Sequence, residues 1–109
     1  MQIPITIKIK DKDKLVTNLF DGKTHKTIVL DRAKLQFRDS HLELEGFGHT
    51  IHAEISMLTG WGGIAVAKYL VKNLGDDPVA RIKIGNSWHR LFKDELREAI
   101  EKEYLKLKN

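Results

Sequence analysis

The sequence predicts an α+β fold: an N-terminal antiparallel β-meander, then a helix, a strand and a C-terminal helix, with the helices packed on one sheet face. Two observations carry this expectation. Apolar residues recur at every second position before Gly60 and mostly at helical spacing after it. No Pro/Gly/Ser-rich stretch or charge block separates the two halves, so the 109 residues read as one domain with one core.

The elements follow in order. Ile3, Ile5, Ile7 and Ile9 share one face of a strand, opposite Thr6, Lys8 and Lys10, and Pro4 suits an edge or entry position. Asp11-Lys12-Asp13-Lys14 makes a polar turn and Leu15 to Phe20 the next apolar segment. Asp21-Gly22 is a hairpin signal, with Lys26 to Leu30 as the returning strand.

Between Lys34 and Met57 the alternation predicts a three-stranded meander. A turn at Arg38-Asp39-Ser40-His41 pairs Phe37 with Leu42 and Leu35 with Leu44, and places Gln36 against Glu43 and Lys34 against Glu45. A second turn at Gly46-Phe47-Gly48-His49 sets Ile51 beside Leu44, Ala53 beside Leu42, His52 beside Glu43 and Thr50 beside Glu45. Ile51, Ile55 and Leu58 also fit one face of a short helix. The strict alternation of Thr50, His52, Glu54 and Ser56 with Ile51, Ala53, Ile55 and Met57 favours the strand.

Gly60-Trp61-Gly62-Gly63 breaks the chain, with Trp61 expected as a buried plug. Ile64 to Leu74 is a largely apolar helix, with Gly75 at a left-handed C-cap and Pro78 just beyond. Val79 to Ile84 is a strand carrying Ala80, Ile82 and Ile84 on one face and Arg81 and Lys83 on the other, ended by Gly85-Asn86-Ser87. The last helix, from about Lys93 to Lys106, has a stripe of Leu96, Ala99, Ile100, Tyr104 and Leu107. Asp94 and Glu95 in its first turn, and Lys106 and Lys108 near its end, complement the helix dipole.

Composition narrows the chemistry. Hydrophobic residues at 41% and charged residues at 31% describe a folded, water-facing chain. The first ten residues lack the apolar run of a signal peptide, and no stretch reaches the roughly 20 apolar residues of a membrane span. The expectation is a cytoplasmic protein with no membrane partner. Without cysteine there are no disulfides, thiolate nucleophiles or Cys-bound metals, and no motif for a cofactor or metal is present. Lys and Arg exceed Asp and Glu by 19 to 15, a net +4, which permits an acidic partner without demanding one.

Four places could carry function. His49 and His52, with Glu54 two residues further on, could act as general acid and base in a metal-independent phosphodiesterase. The plainer account makes His52 a cross-strand polar partner of Glu43. Gly62 and Gly63 precede a helix and could offer backbone N–H groups to an anion, although no phosphate-loop motif is present and a sharp strand-to-helix turn is the favoured account of them. Lys8, Lys10, Arg81 and Lys83 would line one sheet surface if their strands are neighbours, extended at the turns by Lys12, Lys14, Lys23 and Lys26. Trp88 is the candidate base-stacking ring beside them. The C-terminal helix, with Tyr104, Leu105 and Leu107, offers apolar surface for a homodimer or another protein. The leading expectation is a small basic binding module whose partner is nucleic acid or an acidic protein surface. The alternatives are the phosphodiesterase and an inhibitor-type or subunit protein.

Overall fold

The computed structural model describes residues 2–10, 27–42, 49–75 and 80–108, with the backbone alone at 39–42 and 49. The expected turns and strand between Asp11 and Lys26, the pairing partners Glu43, Leu44 and Glu45, the turn glycines Gly46 and Gly48, and Pro78 lie outside the described residues. So do Lys12, Lys14, Lys23 and Lys26.

The fold is α+β. Six strands, β1 (Gln2–Ile9), β2 (Thr27–Leu30), β3 (Ala33–Leu42), β4 (His49–Met57), β5 (Arg81–Ile84) and β6 (Ser87–His89), form one antiparallel sheet in the order β2-β3-β4-β1-β5-β6. Helices α1 (Gly62–Leu74) and α2 (Lys93–Lys108) pack against each other and on one face of it.

Parity decides which face is which. The isoleucines of β1, Leu35 and Phe37 of β3, Ile51, Ala53 and Ile55 of β4, and Ile82 and Ile84 of β5 are buried under Val66, Leu70 and Leu74 of α1 and Leu96 and Ile100 of α2. Cross-strand partners share this face: Ile7 stands between Ile51 and Ile82, and Ile5 between Ala53 and Ile84. Each fully buried aliphatic side chain contributes about 1.5–3 kcal/mol, so one continuous apolar layer fixes which face of the four central strands turns inward. None of the helices among the described residues is long and apolar enough to cross a membrane.

Several expectations are corrected. The chain does not turn at residues 38–41. Instead β3 runs through them to Leu42 and pairs directly with β4, so Leu35 faces Ile55, Phe37 faces Ala53, Gln36 faces Glu54 and Lys34 faces Ser56. A bulge at Arg38 shifts this ladder by one, which puts Asp39 opposite His52, where an unbroken register would put it opposite Ile51 of the core row. Ile51 to Met57 is a strand, as the alternation favours over the short helix.

Gly75 has φ −65°, an ordinary helical value, and its N–H bonds the Val71 carbonyl, so no left-handed cap is formed. Gly85 does adopt φ +63°, as the first residue of a two-residue loop that turns β5 into β6, a strand the sequence left unread. Trp61 is not a plug: it is 66% exposed at the start of α1. Leu107 is exposed too, so the buried stripe of α2 stops short of it.

Candidate ligand-binding face of the sheet

The second face of the sheet carries no described helix. Its surface is set by parity: Pro4, Thr6 and Lys8 on β1, Gln36 and Arg38 on β3, Thr50, His52 and Glu54 on β4, Arg81 and Lys83 on β5 and Trp88 on β6. Because β1 and β5 are neighbours, the condition on which the basic surface depended is met. Lys8 stands directly opposite Arg81, and Thr6 opposite Lys83.

Thr6 is also the partner of His52, and Lys83 the partner of Trp88, so His52, Thr6, Lys83 and Trp88 form one row across four strands. Trp88 is 49% exposed in this row, with its ring available to a ligand. Lys10 lies just past the end of β1 and is exposed there.

Side-chain length shapes the surface. The central strand presents the short Pro4 and Thr6, while His52 and Glu54 of β4, with Arg38 of β3 beyond them, stand on one side and Lys83 of β5 on the other. The result is a recess of about 500 Å³ floored by β1, with the Gly85 backbone at its edge. Its walls stand on β4 and β5, two strand spacings or about 10 Å apart.

Arg38, projecting from the bulge, donates from Nη2 to Glu54 Oε2 at 2.7 Å, which holds its guanidinium at the rim. Arg81 is anchored by a hydrogen bond from Nη1 to the Ala80 carbonyl at 2.7 Å. Arg38 and Thr6 carried no signal in the sequence. Position 38 looked like a turn, and the short outward residues of β1 become a floor only when longer ones flank them.

Three cations, Lys8, Arg81 and Lys83, meet on this face where β1 and β5 pair. Like charges directly opposite on neighbouring strands cost stability, by a few tenths to about 1 kcal/mol. Lys8 and Arg81 are such a facing pair, with Lys83 two residues along. An anion lying between them reverses the sign of that contribution.

The remaining candidate residues fall elsewhere. His52 and Glu54 share the open face, but His49 pairs with Ile9 and has the opposite parity, so the strand does not bring the two histidines together. Gly62 and Gly63 are buried. The Gly62 N–H donates to the Thr59 carbonyl at 3.1 Å, and a Cβ on Gly63 would stand 3.2 Å from Glu101 Cγ. Both glycines are accounted for by close packing of the α1 start. Trp61 lines a separate recess with Gly60, Arg97, Glu101, Tyr104 and Leu105.

Comparison with known protein families finds no match, and neither does comparison with curated proteins or with solved structures.

Proposed function

We propose that this protein is a binding module for single-stranded nucleic acid, which lies along β1 on the open face of the sheet. The observation that carries the reading is the cross-strand placement of Lys8 against Arg81 and of Lys83 against Trp88. Cations on adjacent strands meet the phosphates, and an exposed indole in the same row stacks on a base, the two components of single-strand binding. Side chains on strands whose backbones stand about 10 Å apart leave a groove too narrow for a duplex. An acidic protein surface would need the cations but neither the groove nor the ring.

Anisotropy titrations of a fluorescent single-stranded oligonucleotide at several salt concentrations test this. The logarithm of the binding constant falls linearly with the logarithm of salt, with a slope of about −2 for three phosphate contacts. Lys8→Ala, Arg81→Ala and Lys83→Ala each flatten that slope by roughly 0.7. Trp88→Ala weakens binding by roughly five- to 150-fold and leaves the slope unchanged. Absence of binding at low salt, or an affinity indifferent to salt, refutes the proposal.

A further inference from the structure

We infer that the recess over Thr6 recognises a terminal phosphomonoester, so that the module engages the phosphorylated end of a strand; this rests on the strand-binding reading above. The groove is not uniform along β1. Toward Lys8 and Arg81 it is bordered by cations, whereas toward Pro4 it meets the Glu54 carboxylate, pinned in place by Arg38. A polyanion meets cations in the first direction and the charge-neutral Arg38–Glu54 pair in the second, so its last phosphate comes to rest over Thr6.

The groups at that point suit a monoester. Thr6 lies beneath, His52 is one strand spacing to one side, Lys83 one spacing to the other, and Arg38 is at the rim. These donors converge from three strands and a bulge, in contrast to the linear array a continuing backbone would use. A chain diester offers two terminal oxygens and one charge. A monoester offers three strong acceptor oxygens and close to two charges at neutral pH, and charge-assisted hydrogen bonds to it are correspondingly stronger.

The test compares one single-stranded oligonucleotide in three forms: both ends hydroxyl, 5′-phosphorylated and 3′-phosphorylated. One phosphorylated form binds at least roughly tenfold more tightly than the hydroxyl form. The increment disappears in His52→Gln and in the double variant Arg38→Gln with Glu54→Gln, which removes the rim pair without stranding a carboxylate. The affinity of each variant for the hydroxyl form, carried by Lys8, Arg81, Lys83 and Trp88, is the baseline against which its increment is read. Equal affinity for all three forms overturns the inference while leaving the groove reading intact, and so does an increment that survives both variants. Failure of the hydroxyl form to bind at low salt sinks the groove reading itself. In that case, competition by a nucleoside monophosphate for a phosphorylated strand decides the end site: competition abolished by His52→Gln supports it, and no competition overturns it.

Discussion

A methyl group added at position 62 would stand 2.5 Å from the carbonyl oxygen of Arg32 and 3.1 Å from the Ala33 side chain. The obstacle is backbone, and that backbone is itself committed: Arg32 sits at φ 64°, and its carbonyl accepts the Leu58 N–H at 2.9 Å. Neither group can yield cheaply. Gly62→Ala is therefore expected to destabilise the protein by about 1–3 kcal/mol. Gly60, two residues earlier, faces only the Tyr104 ring at 3.8 Å, an ordinary contact. Gly60→Ala leaves stability unchanged or raises it by up to about 1 kcal/mol through the unfolded chain. Urea unfolding of the two variants checks the pair, and equal effects would contradict the packing account. Both residues belong to a glycine cluster that looks uniform in sequence. Only the approach of the β2–β3 turn, a tertiary fact, separates them.

The elements were legible to different depths, for physical reasons. Parity is local, so the inward set Ile3, Ile5, Ile7 and Ile9 and the outward set Lys8, Arg81 and Lys83 could be read directly. Partnership is not local. Sliding a strand by an even number of residues preserves parity, and so a hairpin of Phe37 with Leu42 satisfied the same pattern as the observed pairing of Phe37 with Ala53. The bulge at Arg38, which adds a residue and re-aims the strand, left no mark in the alternation, and with it the rim of the recess went unseen. β6 has three residues, too few to display a period.

In α2 the stripe was extended one turn too far, because spacing alone cannot say where the sheet beneath a helix ends. Ile100 is buried in the core and Leu107 is 44% exposed. Ile100→Ala is expected to cost about 2–5 kcal/mol and Leu107→Ala less than about 0.5 kcal/mol. For a domain of this size the first lowers the thermal midpoint by at least about 8 °C and the second by no more than about 4 °C. Similar midpoints for the two variants would show that the end of α2 is packed as firmly as its middle.

At the scale of the whole molecule, one sheet serves two purposes through its two faces. The apolar face, covered by α1 and α2, holds the core, and the other brings together the cations of β1 and β5. A net charge of +4 does not reveal that Lys8, Arg81 and Lys83 meet where β1 and β5 pair. The sequence held both cation pairs, but their adjacency comes from strand order: β1 lies between β4 and β5, far from it in the chain.

The most direct measurement is an NMR titration of the isotope-labelled protein with a single-stranded oligonucleotide at low salt. Shifts concentrated at Thr6, Lys8, His52, Arg81, Lys83 and the Trp88 indole, with α1 and α2 quiet, are the predicted result. Shifts confined to the helical side, or none at saturating ligand, would contradict the assignment of the open sheet face as the binding surface.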